Sequence, residues 1–299
     1  MDCKENKKIK IGLFDSGIGG FSILRDLLSS RPFTKAESTK RLEQVGFEFY
    51  YFSDSLHAPY GNKSNEEIFN RSCTIVEQFD KIKVDLIVVA CNTATAACID
   101  RLRGLFPEQK IVGVEPYLNA IHRLEADHRL WAVITTITTG ESTRFVELKK
   151  RLDPDNQIAL YKLPNLAFAI EQFAHNKIDD RELYEICKSD LSPLFKSRVT
   201  HLILGCTHYP LIENAISILT KATCLSPGPS VKNRVLQLCD LNEIENKGLE
   251  KVNEDEIIHE VYLHNSLFHR EGEFVRYDPA IIFKRFEIFN QNVLALIKS

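Results

Sequence analysis

Short apolar runs, each followed by turn residues and then a helix-like stretch, recur along this chain. KIGLF precedes DSGIGG, FEFYYF precedes SDS, DLIVVA precedes CNTATA, and IVGV precedes EPY. The series continues with WAVI before TTITTG, IALYKL before PNL, and HLILG before CTHYP. Runs that are apolar on consecutive positions and rich in β-branched residues predict strands covered on both faces, and the intervening segments predict βα units. The expected fold is α/β with mostly parallel sheets, in which ligands gather beyond the carboxyl ends of the strands.

The pattern also repeats. IKIGLFDSGIGG resembles LWAVITTITTG, and DLIVVACNT resembles THLILGCTH, in the same order and at similar offsets. Two pseudo-symmetric α/β domains facing each other across a cleft account for this. Residues 1–115 and 226–299 are expected to form the first, discontinuous domain and 116–225 the second, with crossings near Glu115 to Tyr117 and at the turn-rich SPGPS. RPFTKAESTKRLEQVGFEF is expected to be a solvated helix or loop, and NKGLEKVNEDEIIHEV a charged surface helix.

Composition narrows the partners. A net charge of -3 and the lack of a dense Lys/Arg run give no reason to invoke nucleic acid or a membrane surface. No segment approaches the roughly 20 apolar residues of a membrane span, and MDCKENKKIK lacks the apolar core of a signal peptide, so a cytoplasmic protein is expected. The 8 cysteines are irregularly spaced, which fits free thiols and not a disulfide framework. Cys91 with Cys98, and His259 with His264 and His269, lack the spacing and fourth ligand of a zinc site. With no phosphate-binding loop or nicotinamide fingerprint, the expectation is no metal and no cofactor.

Candidate chemistry centres on Cys91 and Cys206, each ending an apolar run and followed by small polar residues, Asn92-Thr93 and Thr207-His208. A helix N-terminus after each strand would favour the thiolate. Two thiols at equivalent strand ends suit a reaction in which one carbon loses a proton on one face and regains it on the other. Asp15 lies in a glycine-rich turn whose exposed N–H groups can hold a carboxylate, although Asp-Ser before a helix is more often a cap. His208 is placed to act as acid or base beside Cys206. Tyr60 and Gly61, after the proline of HAPYG, offer a hydroxyl and backbone N–H groups to a substrate carboxylate, where the plainer alternative is an ordinary turn.

In order, GLFDSGIGG, PYG, ACNTATA, GVEP and LGCTHYPL resemble the glutamate racemases of the aspartate/glutamate racemase superfamily over about residues 9 to 230. The resemblance implies a cofactor-independent enzyme that interconverts L- and D-glutamate, the D-isomer serving bacterial peptidoglycan, with the site between two α/β domains. It implies Cys91 and Cys206 as the acid/base thiols, assisted by Asp15 and His208 respectively, with Glu171 of KLPNLAFAIE as a further catalytic carboxylate. Asp15, Ser16, Tyr60, Gly61, Asn92, Thr93, Thr207 and His208 would hold the substrate. Glutamate is the implied partner, and a homodimer the implied assembly, since the family is often dimeric. The rivals are an aspartate racemase of the same superfamily and a non-catalytic glutamate-binding regulatory protein. Against the family pattern, KLP replaces a Cys-Pro and Leu56-His57 replaces an Ala-Arg pair.

Overall fold

A computed structural model of the chain describes residues 8–30, 32–35, 42–120, 131–243 and 259–298. Six strands form the first sheet. They are β1 (Lys8–Asp15), β4 (Gly46–Ser53), β5 (Leu86–Val89), β6 (Ile111–Gly113), β12 (Glu260–Asn265) and β13 (Val275–Arg276), in the order β13-β12-β4-β1-β5-β6. A second sheet holds β7 (Trp131–Thr136), β8 (Ala159–Leu163), β9 (His201–Leu204) and β10 (Thr223–Leu225), in the order β10-β9-β7-β8. Every pairing in these two sheets is parallel except β12 with β13. The α/β fold with two mostly parallel sheets is therefore as expected, and each of the seven apolar runs contains a strand.

The repeat in the sequence is a repeat in topology. The segment β4-β1-β5-β6 of the first sheet recurs in the second as β8-β7-β9-β10. Its physical basis is that β1 and β7 are central, so both of their faces must be covered. Leu13 and Phe14 on β1, and Val133 and Ile134 on β7, alternate between faces and are all fully buried. Helices α1 (Phe21–Leu28), α2 (Asn65–Ile82) and α3 (Asn92–Leu105) cover the first sheet. In the second half, α4 (Ile137–Glu141), α5 (Thr143–Leu152), α6 (Leu166–Ala174), α7 (Asp180–Leu191) and α8 (Glu213–Thr220) play that part. Both α2 and α7 start at reciprocal capping boxes, Ser64 with Glu67 and Asp179 with Glu182.

One stretch differs from expectation, as does the described end of another. Residues 32–35 and 42–44 form β2 (Pro32–Lys35) and β3 (Leu42–Gln44), paired antiparallel and joined by β11 (Asn242–Glu243), so the stretch expected to be helix or loop carries a small sheet. β2 and β3 pair with each other, and the third strand β11, which pairs Asn242 with Phe33 from a distant part of the chain, is invisible to local pattern. Of the expected charged helix at 246–261, residues 246–258 lie outside the described residues; the last of its residues begin β12.

The segment from 226 onward reaches both halves. Helix α9 (Gly228–Leu238) packs on α1, while β12 and β13 extend the first sheet. Helix α10 (Ala280–Lys298) instead lies against α6, α7 and α8, burying Phe286, Phe289 and Val293. Phe289 sits with its ring 5.3 Å from that of Phe173 on α6. Among the described residues no helix is long and apolar enough to cross a membrane. Phe289→Ala should destabilise the protein by about 3–5 kcal/mol, the usual cost of emptying a fully buried aromatic site, as read by urea denaturation; a loss well under 1 kcal/mol would mean that α10 contributes no core.

Candidate active site

The carboxyl ends of the two central strand pairs converge. β1 ends at Asp15, which is fully buried, and β5 leads into Cys91, which caps α3 with its sulfur accepting from the Ala94 N–H at 3.5 Å. Ser16 donates to Asp15 Oδ1 at 3.1 Å, and the Cys91 thiol reaches Ser16 Oγ at 3.8 Å. From the second half, β9 leads into Cys206, Thr207 and His208. The Thr207 hydroxyl donates to Asp15 Oδ2 at 2.9 Å, and its carbonyl accepts from Ser22 of α1 at 2.8 Å. Two hydrogen bonds thus fasten the second half's strand end to the first half.

Glu171, buried on α6, supplies a third link. Its Oε2 accepts from the Ile18 N–H at 2.9 Å and faces His208 Nε2 at 2.9 Å, while Oε1 faces His175 Nε2 at 3.0 Å. On its other side, His208 Nδ1 lies 3.7 Å from Cys206 Sγ. The order Cys206, His208, Glu171, His175 is therefore one continuous chain of polar contacts. The glycines of DSGIGG make room for it. A β-carbon on Gly17 would collide with the Glu171 carboxylate, and one on Gly19 with the His208 ring.

A cavity of 690 Å³ opens between the halves, a size typical of small-ligand sites. All of the residues singled out from the sequence line it: Asp15, Ser16, Tyr60, Gly61, Cys91, Asn92, Thr93, Glu171, Cys206, Thr207 and His208. Asn92 is nearly fully buried, and neither its amide oxygen nor its nitrogen has a hydrogen-bond partner. Thr93 meets Thr139 of the TTITTG loop at 3.3 Å, and Thr138 of that loop donates to the Gly61 carbonyl. No group of three or more metal-ligating side chains occurs among the described residues.

The family model for Asp/Glu/Hydantoin racemase matches residues 36–231. The chain belongs to this family. It is 30% identical over 254 residues to a glutamate racemase of Clostridium acetobutylicum, covering 84% of this chain and 91% of that protein. The fold resembles that of Escherichia coli glutamate racemase, solved with L-glutamate and the activator UDP-MurNAc-ala, with a TM-score of 0.65 at 23% identity over 86% of this chain and 89% of that one. A glutamate racemase isoform of Bacillus anthracis gives 0.64 at 24% identity, covering 88% and 89%.

In this member of the racemase family the electrostatics of the cleft depart from the sequence expectation in three places. Burial, reinforced by the Asp15 charge, pushes the Cys91 thiol well above its ordinary range, outweighing the Ala94 N–H and Ser16. The helix N-terminus that was expected to favour the thiolate is present but loses to desolvation. Cys206, for its part, precedes a short 3-10 turn at Tyr209–Ile212 and does not itself cap an α-helix. Asp15 does not take its hydrogen bonds from the glycine turn, whose Ile18 N–H serves Glu171; its side-chain partners are the Ser16 and Thr207 hydroxyls.

The two buried carboxyls respond oppositely to similar burial. Desolvation raises Asp15, with His208 and Thr207 only partly offsetting it. Desolvation also opposes ionisation of Glu171, but hydrogen bonds from His175 and His208 overcome it and bring the carboxyl down to about 2. Burial alone would lower His208, yet its bonds to Cys206 and Glu171 raise it well above the ordinary imidazole value. Charge is thus concentrated on the Glu171–His208 pair, next to Cys206 and away from Cys91.

Tyr60 is also placed differently from the expectation. Its hydroxyl donates to Asp54 Oδ2 at 2.7 Å, and Arg71 and His57 hold the same carboxylate at 2.8 Å and 3.0 Å. The tyrosine braces the PYG loop from behind, and its hydroxyl is committed to Asp54. Sequence reasoning missed His175, Thr138, Thr139 and the Asp54–Arg71 pair. His175 had a readable signal, lying four residues after Glu171 on one helix face; the Asp54 cluster spans three elements and had none.

Glu171→Gln tests the charge relay. A carboxyl held at about 2, against 4.5 ordinarily, contributes stability that is fully present above 4.5 and is lost as pH falls towards 2. The variant should lose this acid-side slope in urea midpoints. Raised His208 contributes below about 6.5 and loses that contribution as pH climbs through its folded value, so in the variant its imidazole titration by NMR should fall towards 6.5. An unmoved imidazole would show that Glu171 does not set its charge. Gly17→Ala, by displacing the same carboxylate, should shift that titration in the same direction.

Proposed function

We propose that the protein is a glutamate racemase working without a cofactor through two cysteines, supplying D-glutamate for bacterial peptidoglycan. The observation that carries this reading is that Cys91 and Cys206 line one cavity from opposite halves, each in a different electrostatic environment. Racemisation needs such a pair, because a single base returning its own proton would restore the original configuration.

In the reaction, one sulfur as thiolate takes the α-proton and the other, as thiol, delivers its proton to the opposite face. Cys206 is the first acceptor in one direction. The imidazolium of His208, held cationic by Glu171, stabilises a thiolate at 3.7 Å. Cys91, kept as a thiol by burial and Asp15, is the matching donor. The carbanion formed between the steps gains from donors already oriented by the fold. Asn92, whose buried amide lacks any protein partner, is the group best suited to meet a substrate amino or carboxylate group. Ser16, Thr93, Thr207 and the backbone at Tyr60 and Gly61 complete the set.

Glutamate is preferred to aspartate because the relatives named above are glutamate racemases and one was solved with L-glutamate. The division into a first unit of 1–115 and 226–299 and a second of 116–225 goes with this reading, the cleft between them being the site. Incubation with L-glutamate, and separately with L-aspartate, in deuterated water without cofactor should give loss of optical rotation and α-deuterium in the D-product with glutamate alone. Rotation and deuterium unchanged with both would favour the glutamate-binding reading. Cys91→Ala and Cys206→Ala should each reduce racemisation by at least about 10²–10⁴-fold, the usual weight of a positioned acid or base; retained turnover in both would refute the thiol pairing.

A further inference from the structure

The cavity carries one feature that the racemisation chemistry does not use. Among the residues lining it, Lys177 is the only lysine or arginine. The other charged groups there are Asp15 and Glu171, together with histidines, of which His208 and His175 are both engaged by Glu171. An amino acid with a second carboxylate carries a net negative charge near neutral pH. It must therefore approach a cleft that already holds carboxyls, in a protein whose net charge is -3.

Lys177 does not hang from a loose loop. Helix α6 is capped at His175, and Asn176 follows in the left-handed conformation with φ 57°. The Asn176 N–H donates to the Phe173 carbonyl at 3.1 Å, and the Lys177 N–H reaches back to the Gln172 carbonyl at 2.9 Å. This is the paired closure of a Schellman cap, which fixes the backbone of the residue after the left-handed position. The cap joins the Lys177 backbone to the helix that carries Glu171 and His175, so the residue is fixed at the cavity wall while its side chain stays free to reach into the cleft. Its side chain is solvent-exposed, and among the described residues no carboxylate lies within ion-pair distance of it. It also stands at the C-terminal end of α6, where the helix dipole would otherwise repel an anion.

We infer that Lys177 is the substrate-capture residue of this site, a cation at the cavity wall that draws in and favours amino acids bearing a second carboxylate. The inference rests on the glutamate reading above and adds to it the residue that confers preference for a second carboxylate on the substrate. Because Lys177 acts on binding and not on proton transfer, its loss appears in KM and in salt dependence, with kcat retained.

The test compares wild type with Lys177→Gln and Lys177→Arg, using L-glutamate turnover and competitive inhibition by glutarate and by butyrate. Expected for Lys177→Gln are a KM for glutamate raised roughly three- to tenfold, a kcat within about twofold of wild type, and a flatter fall of kcat/KM with added salt. Glutarate inhibition should weaken by a similar factor while butyrate inhibition changes less, and Lys177→Arg should restore all of these. An unchanged KM and salt slope in Lys177→Gln would overturn the proposal, as would a loss confined to kcat or a fall in thermal stability that accounts for the loss. A wild-type protein inert towards glutamate would instead sink the racemase reading, and the glutarate and butyrate comparison, read then by thermal shift, would still decide whether Lys177 selects dicarboxylates.

Discussion

Burying a carboxylate and an imidazolium together between two halves of a protein is costly unless every lone pair and proton finds a partner. Glu171 and His208 meet that condition. One carboxylate oxygen is shared between the Ile18 N–H and His208, and the other belongs to His175. Much of the site's layout follows from this pair. The loop after β1 must carry glycines because the carboxylate and the imidazole occupy the space that side chains would need. The helix α6 must approach the first half closely enough for its carboxylate to reach the Ile18 amide. Removing any one partner would leave charge stranded, which is why the arrangement acts as a unit.

The same constraint makes the two thiols unequal. Asp15 receives only hydroxyl partners from side chains, so its proton is held more tightly, whereas Glu171 is flanked by imidazoles and gives its proton up. Cys91 therefore lies beside a carboxyl in a desolvated pocket, and Cys206 beside a cation. In the two-thiol reading proposed above, this difference gives the two faces of the cleft unlike sulfur environments. The pseudo-symmetric fold supplies equivalent positions for the sulfurs, and the neighbours break the equivalence.

The C-terminal segment is part of this architecture. The strand β12 pairs with β4, and the residues after it hold the loop before PYG: Ser266 Oγ accepts from the Leu56 N–H at 2.9 Å, and the Asn265 amide donates to Ser55 at 3.3 Å. Leu267, next along, forms part of the cavity wall. The same segment then runs on into α10 against the second half. A stretch with no recognisable motif thus shapes the wall of the site and spans both halves.

The sequence by itself determined the seven parallel strands and the order of the repeat, and placed Asp15, Cys91 and Cys206 at strand ends; further cleft residues, Glu171 among them, came from the resemblance to the racemases, and His175, Thr138 and Thr139 were not among those it offered. It could do so because a strand covered on both faces needs an unbroken apolar run, and because a polar residue at the end of such a run has only the strand-end cleft to face. What only the tertiary structure decided was the chemistry of each group. The joining of β11 to β2, the protonated character of Cys91 and the choice of Ile18 N–H for Glu171 rather than Asp15 depend on contacts between residues far apart in the chain, 153 positions for Ile18 and Glu171, while the commitment of the Tyr60 hydroxyl to Asp54, only 6 positions away, depends on how the loop between them folds back. Apolar periodicity is a local property, written in neighbouring residues. Desolvation and hydrogen-bond partnership are set by whatever the folded chain brings within about 3 Å, and these set the Asp15 and Cys91 protons against the ionised Glu171.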